Sequence, residues 1–530
     1  MNHKRFVKKY IKNFMGMYII YIALVLIYKA TSIVLPYSIG KYIDNINSLI
    51  SSTYILKLII LIGCMSIIII ISEYMLQITE TKIISKMSFN FINDTVEHIK
   101  RLPIDYFKNL DTVYLNQRIN EDAGIIVKFI IHDTANLIIQ IVYILAIIFM
   151  IFNISSKAFC FTLIIIPVSL FSYHTFKKHL YKSGFELRES QNKFFSKVND
   201  QFNIIKSIKR QCWFEKLNSE IKSKFDIFYK KALRYTKIDK LYTSNNSILK
   251  YVSILFLIIL GSYEINNKNL TIGDFIILNS YFTLMIDNLV SIMTLGSDYQ
   301  NYLVAVKRMN EILEIQEEHN GTNILDYIDV INVKNVNFTY PNSDLALNIN
   351  YTFEKGKAYC IKGLNGKGKT TLFDILVGLR YDYTGEIYFN DLNIKEIDMY
   401  KCRRSLISFV EQEPELSCDS IRNSLTYDIE NYNKDYLKEL CIKMNIVHLF
   451  KEESTGNKII SGGEKQKIAE IRAFIKQPQI FLFDEPISAL DQNSIVNLKE
   501  IISNIKNDAI VLLITHNDLI MDIVDEIIEL

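Results

Sequence analysis

Six apolar runs recur in the first part of the chain, at residues 18–36, 54–71, 137–152, 159–171, 248–261 and 275–295. A bilayer core takes about 20 residues of helix, and a shorter run can be completed by its flanks. The third and fourth runs are separated only by residues 153–157 and a small residue, which reads as a tight turn between two crossings. Six crossings return both ends of this region to the same side of a membrane.

Charge identifies that side. Residues 1–12 carry five Lys or Arg, residues 79–128 carry seven, and residues 175–240 carry seventeen. The alternate connections, 45–53, 153–157 and 263–272, carry none, one and one. Positively charged connections stay in the cytoplasm, which predicts cytoplasmic termini and a multi-pass protein of the cell membrane. A cleaved signal peptide is the competing reading of the N-terminus. It would have a shorter apolar core and a small-residue cleavage site, whereas here the run continues into Pro36 and Tyr37. The basic connections are not loop-like. Segments 83–100 and 186–240 show helical apolar spacing, predicting helices that extend into the cytoplasm, with Leu102 and Pro103 turning the first of them.

Composition agrees with a chain that is part membrane and part soluble: 49% of residues are apolar and 22% charged, with a net charge of only +3. That balance gives no case for a nucleic-acid partner. The seven cysteines are scattered, odd in number and never in a C-x-x-C spacing, so neither a disulfide framework nor a zinc site is expected.

From about residue 327 the texture changes to short β-type runs alternating with helical ones, the clearest strands being 330–338, 357–361, 480–483 and 510–514. Such alternation predicts an α/β domain. After the second of these strands come Gly363, Leu364, Asn365, Gly366, Lys367, Gly368, Lys369, Thr370 and Thr371, then a helical segment. This is G-x-x-x-x-G-K-[ST] in its strand–loop–helix setting. Glycines let backbone N–H groups turn inward around phosphate oxygens, and the helix N-terminus adds a favourable dipole. Lys369 would reach the β- and γ-phosphates and the Thr370 hydroxyl would ligate Mg²⁺. The competing reading is a Gly/Lys-rich surface turn. Further on, an apolar strand ends in Asp484 and Glu485. Asp484 suits a Mg²⁺-phosphate site and Glu485 the polarisation of a water. The same pair equally suits the acidic start of a helix, and the two residues alone leave both open.

With these residues in view the chain resembles the ABC transporter superfamily, in its exporter-type half-transporter form with six membrane helices fused to a nucleotide-binding domain. Ile460, Ser461, Gly462, Gly463, Glu464, Lys465 and Gln466 are similar to the family signature, and lie between the phosphate loop and the acidic strand in the family's order. Phe338, Thr339, Tyr340 and Pro341 resemble the adenine-stacking segment. Gln412, within Val410–Pro414, resembles the Mg²⁺-sensing glutamine. The stretch Ser488, Ala489, Leu490 and Asp491 resembles the dimer-contacting turn, and Thr515 with His516 the switch histidine. In the first half, Leu35, Pro36, Gly40 and Asp44 resemble the end of the first crossing, and Leu102, Pro103, Tyr106, Phe107, Arg118 and Asp122 the first coupling region. Leu270, Thr271, Gly273 and Asp274 resemble the entry to the sixth crossing, and Ala305–Arg308 with Ile312 and Leu313 its exit. Glu464 and Ile460 depart from the usual signature glutamine and leucine, and Glu411 stands where proline is usual. The customary terminal hairpin after His516 is expected to be missing.

The resemblance implies a multidomain membrane protein: an all-α six-helix transmembrane domain over 1–313, a linker over 314–327 and an α/β P-loop ATPase domain over 328–530. It implies ATP and Mg²⁺ as cofactors. A second copy of the chain, or a related half-transporter, is implied as partner, because the signature of one copy faces the phosphate loop of another. Tyr340, Gly363, Asn365, Gly366, Gly368, Lys369, Thr370 and Thr371 would bind ATP, with Ser461, Gly462, Gly463 and Asp491 from the other subunit's face. Thr370, Gln412 and Asp484 would hold Mg²⁺. Glu485 would act as base, His516 would position the γ-phosphate and Gln412 would complete the catalytic set. Coupling regions near 106–107 and 208–213 would pass movement to the membrane helices.

For the cargo the residues say less. Tyr18, Tyr21 and Tyr28 fall near one stripe of the first crossing and suit a cavity wall, ordinary packing or interfacial anchoring. Lys29 and Asp287 lie inside apolar runs, where a charge points to function. At 1.5 Å per residue their depths differ by about 10 Å, so each is expected to face a wet cavity rather than the other. The expected cargo is a bacteriocin-like peptide or other amphipathic product, alongside membrane lipid as surroundings. With no leader-peptidase domain ahead of the first crossing, leader removal would fall to another protein. A lipid or multidrug exporter is the alternative, and a non-transporting ATP-gated sensor or immunity protein a further one.

Overall fold

The computed structural model describes residues 3–46, 52–107, 112–339, 346–364, 366–416, 420–427, 429, 431–452 and 460–530. The chain divides into two compact units, Met1–Lys100 with Asp111–Ile315, and Arg101–Leu110 with Gln316–Leu530.

The first unit is all helix: α1 (His3–Ile46), α2 (Ser52–Ile99), α3 (Thr112–Lys128), α4 (Thr134–Ile154), α5 (Ser156–Asn203), α6 (Ile205–Gln211), α7 (Phe214–Asn266) and α8 (Ile272–Leu313). The described residues contain six stretches long and apolar enough to cross a membrane, the third formed by α3 and α4 joined through a π-turn at Phe129–Asp133. Helices satisfy their backbone internally, which is what a hydrocarbon setting demands. Their outward side chains are apolar and exposed, among them Ile70, Phe149, Phe171 and Ile259. Such exposure in water would be an aggregation hazard; here it is the lipid-facing surface.

Local chemistry sets the helix ends. The turn between the third and fourth crossings is as tight as the sequence predicts: Ser155 alone leaves the helical conformation, and its hydroxyl accepts the Ala158 N–H. α8 begins with a capping box in which Thr271 Oγ1 accepts the Asp274 N–H at 3.0 Å while the Asp274 carboxylate accepts the Thr271 N–H at 3.3 Å. The predicted segments 83–100 and 186–240 are largely helical, forming the end of α2, the end of α5, α6 and the start of α7. Two apolar cores hold the bundle, one around Tyr21, Met87 and Ile131, the other around Ile147, Tyr281 and Phe282.

The second unit carries two sheets. An antiparallel one has the order β2 (Ala346–Glu354), β1 (Val330–Thr339), β4 (Thr384–Phe389), β5 (Leu392–Asn393). The parallel one has the order β6 (Ile407–Val410), β7 (Ile480–Asp484), β8 (Ile510–Ile514), β3 (Ala358–Lys362), β9 (Glu526–Glu529). Every residue of β7 and β8 is buried, as expected of strands covered on both faces. The helices are α9 (Lys369–Leu376), α10 (Met399–Ser405), α11 (Ile421–Thr426), α12 (Lys434–Lys443), α13 (Val447–Glu452), α14 (Gly462–Ile475) and α15 (Gln492–Ile505). The four clearest predicted strands correspond to β1, β3, β7 and β8.

Residues Arg101–Leu110 cluster with this second unit, although the sequence places them inside 1–313. A 3₁₀ turn at Ile104–Phe107 brings Asp105 to Arg380, which is 1% exposed at its side chain and bonded to both Asp105 oxygens, one at 2.8 Å. Asp374 and Asp382 lie within 3.5 and 3.7 Å of the same guanidinium. A buried cation of this kind is tolerable only when ringed by carboxylates.

Candidate functional site

In a parallel sheet, ligands collect beyond the C-terminal ends of the strands. The ends of β3, β7 and β8 meet there, and each delivers chemistry. Beyond β3 the chain turns through the glycine loop into α9, whose N-cap, Gly368, has φ +93°, a conformation that resists a side chain. Lys369 opens the helix. Its ammonium donates to the Gly363 carbonyl at 2.7 Å and the Leu364 carbonyl at 3.3 Å, and lies 3.0 Å from His516 Nε2. Next to it, Thr370 Oγ1 donates to Asp484 Oδ2 at 2.9 Å. Thr371 is buried behind them.

Asp484 ends β7, and burial pushes its carboxyl up from the usual range, opposed by the Thr370 hydrogen bond and the Lys369 charge. Glu485 follows with φ +50°, an uncommon conformation for a non-glycine residue, held by its N–H to the Ile514 carbonyl at 2.8 Å. Burial also raises the Glu485 carboxyl, opposed first by the nearby His516. Lys369, Thr370, Asp484, Glu485 and His516, far apart in sequence, therefore form one constellation.

A second cluster lies on α14 and α15. Ser461 caps α14 in a capping box: its N–H and hydroxyl both donate to Glu464 Oε2 at 2.8 Å, and its Oγ accepts the Glu464 N–H at 3.3 Å. Glu464 Oε1 lies 3.1 Å from His448 Nε2. The departure from the usual glutamine thus has a local role. Gly462 and Gly463 form the first turn of α14. Asp491 caps α15 through the Ser494 N–H at 3.0 Å and accepts from Lys467 at 2.7 Å; the lysine holds its carboxyl well below the ordinary range. Gln412 is exposed in the loop after β6. Tyr340 and Asn365 lie outside the described residues.

The donor set fits the implied groups. A hydroxyl and a carboxylate oxygen, with an amide on the neighbouring loop, are hard oxygen ligands of the type Mg²⁺ takes when phosphates complete its shell. Among the described residues no group of three or more His, Cys, Asp or Glu could hold a metal ion.

In the membrane unit the four expected cavity residues separate. Tyr21 is fully buried, its hydroxyl 3.4 Å from His132 Nδ1, which is the packing alternative for the tyrosine stripe. Tyr28 is half-buried. Asp287 does not stand alone: Lys250 of α7 reaches its carboxylate at 2.9 and 3.2 Å. Lys29 donates to Asn288 Oδ1 at 3.0 Å and lies 4.6 Å from the Tyr143 ring centre. Two buried cations, Arg380 and Lys467, have no motif in the sequence to mark them.

Residues 18–289 match the family described as the ABC transporter transmembrane region, and residues 346–488 match the ABC transporter family. The chain is 24% identical over 463 residues to the lactococcin-G-processing and transport ATP-binding protein LagD of Lactococcus lactis subsp. lactis, covering 84% of this chain and 65% of that protein. It is 26% identical over 491 residues to the SPbeta prophage-derived sublancin-168-processing and transport ATP-binding protein SunT of Bacillus subtilis (strain 168), covering 89% of this chain and 67% of that one. The chain thus spans about two thirds of the length of these two curated relatives. A bacterial Atm1-family ABC exporter solved with ATP bound has a similar fold, with a TM-score of 0.84 at 16% identity over 97% of this chain and 94% of that chain.

Proposed function

The chain belongs to the ABC transporter family, with the half-transporter architecture of its exporters, and from that premise we propose that two copies export a peptide or similar amphipathic product at the expense of ATP. The observation that carries this reading is the meeting of Lys369, Thr370, Asp484, Glu485 and His516 at one end of the parallel sheet.

Lys369 would exchange its loop carbonyls for β- and γ-phosphate oxygens, and Tyr340 would stack on adenine. Mg²⁺, held by Thr370, Asp484 and Gln412, would neutralise charge developing between the phosphates. Glu485 would accept a proton from the attacking water, and the upward push of burial on its carboxyl makes it a stronger base than a free glutamate. His516, already beside Lys369, would steady the γ-phosphate. The Ser461–Gly463 turn would close from the partner subunit, with Asp491 in the contact. Because each cradle needs the other copy's turn, nucleotide would favour the closed pair and hydrolysis would release it. Shifting such an equilibrium from 1:99 to 99:1 takes about 5.5 kcal/mol of differential binding.

The charge pattern of the connections supports cytoplasmic termini in a cell membrane. A peptide cargo is supported by the likeness to LagD and SunT, whose names couple processing with transport. The test is ATP-dependent uptake of a labelled amphipathic peptide into inside-out vesicles, compared with Lys369→Ala. Uptake with the intact chain alone supports the reading. Uptake of lipid or drug but not peptide redirects the cargo, and ATP turnover without any uptake overturns export.

A further inference from the structure

Some charged side chains of the membrane unit are paired from one helix to another. Asp287 is met by Lys250 at 2.9 Å, and Glu80 by His132 at 2.7 Å. Lys29 has no carboxylate within ion-pair distance among the described residues; its ammonium meets the Asn288 amide oxygen and the face of Tyr143. It lies eleven residues beyond Tyr18, about 16 Å along α1 at 1.5 Å per residue, near the middle of a ~30 Å core. An unneutralised ammonium at that depth is expensive, and a cost of this kind is retained where something binds.

A second, independent feature adjoins it. Gln140 is 8% exposed and donates to Ser291 Oγ at 2.9 Å, while its Oε1 is buried without a hydrogen-bond partner among the described residues. The two features share one wall. Gln140 and Tyr143 are three residues apart on α4, and Asn288 and Ser291 three apart on α8, so each pair lies on one helix face. Lys29 spans the upper pair and Gln140 joins the lower. The result is a cation and an unsatisfied acceptor one helical turn apart, where α1, α4 and α8 meet.

We propose that this is a recognition site for the C-terminal end of a peptide, with Lys29 taking the carboxylate and Gln140 Oε1 accepting a backbone N–H. The inference rests on the exporter reading above and names what the cargo must present. The backbones of Gln140 and Tyr143 are offset along α4 by about 4.5 Å, at 1.5 Å per residue. A lipid headgroup fits less well: it belongs at the interface, not at mid-depth, and it brings no obligatory N–H beside its anion. Asn288, whose own Nδ2 is fixed to the Leu284 carbonyl at 2.7 Å, positions the ammonium rather than neutralising it.

The test uses the full chain in phosphatidylcholine nanodiscs without nucleotide, and two N-terminally labelled amphipathic peptides that differ only in a free C-terminal carboxylate or a C-terminal amide. Fluorescence anisotropy should give about tenfold tighter binding of the acid, the scale of one charge-assisted hydrogen bond. Lys29→Gln should abolish that preference, Lys29→Arg should keep part of it, and Gln140→Leu should weaken both peptides. Equal affinity for acid and amide, a preference that survives Lys29→Gln, or failure of both peptides to bind would overturn the site. So would loss of the preference when phosphatidylglycerol is added, because the lipid anion would then be the occupant. ATP turnover and vesicle uptake judge the exporter reading separately.

Discussion

The carboxylate of Asp44, near the end of α1, accepts the backbone N–H of Gly273 in the first turn of α8 at 2.8 Å. It also accepts the Thr271 hydroxyl at 2.8 Å. One acid thus supplements the capping box of the sixth crossing from the first, using donors that a helix N-terminus leaves unsatisfied. The two helices approach closely enough that a Cβ on Gly273 would stand 2.1 Å from the Gly40 carbonyl oxygen.

Asp44→Ala should therefore destabilise the membrane unit by about 1–2 kcal/mol, the usual worth of a lost cap. Asp44→Asn, which keeps an acceptor, should lose less. Gly273→Ala should be worse than either, because the backbone must shift. Thermal unfolding in one detergent ranks the three, and an unimpaired Gly273→Ala would contradict the close approach.

Glu485→Gln should retain ATP binding and lose turnover by about 10²- to 10⁴-fold, the range expected for removing a general base. Lys369→Ala should lose binding as well, since the ammonium serves phosphate before chemistry begins. Nucleotide-binding and ATPase assays on the same preparations separate the two. Near-normal turnover by Glu485→Gln would remove the base assignment.

The acid limb of the ATPase pH profile should reflect the same carboxyl. Burial raises the Glu485 pKa above the ordinary glutamate value, and a base works only when deprotonated. Activity should accordingly fall, as pH is lowered, through a midpoint above that of a free glutamate. The residual rate of Glu485→Gln should lack this limb. A midpoint at or below the free value would contradict the buried setting.

How much of this was legible beforehand depended on the range of the interaction. The membrane crossings were visible because a hydrocarbon medium demands long apolar runs, and the phosphate loop because cradling an anion demands glycine and lysine at fixed spacing. The strands β3, β7 and β8 announced themselves through continuous apolar composition. The antiparallel β4 and β5 are short, partly exposed and polar in part, so their pattern did not rise above that of loops. Long-range pairs were the least readable. Nothing in spacing ties Asp105 to Arg380 or Lys250 to Asp287, since those depend on how helices pack. Glu464 was visible only as a departure from a motif; its capping box with Ser461 needed coordinates.

Glu470 offers a further measurable consequence. It is fully buried on α14, and burial raises its pKa well above the ordinary value, opposed by Gln466 and the Lys467 charge. The folded state then holds a proton that the unfolded state releases. Stability from this group is complete below the unfolded pKa and declines as pH rises toward the folded one. Glu470→Gln should unfold at a higher temperature than the parent at neutral pH, with the gap closing in acid. A variant no more stable at neutral pH would show that the carboxyl finds compensation there.

The bonds of Lys369 to the carbonyls of its own loop bear on how tightly nucleotide is gripped. An arriving phosphate does not meet an idle ammonium; it competes with two oxygens that already share the charge, and with an imidazole beside them. Only the difference between old and new partners contributes to affinity. Substitutions that alter how Gly363 and Leu364 present their carbonyls would therefore retune nucleotide affinity without touching any atom of the nucleotide.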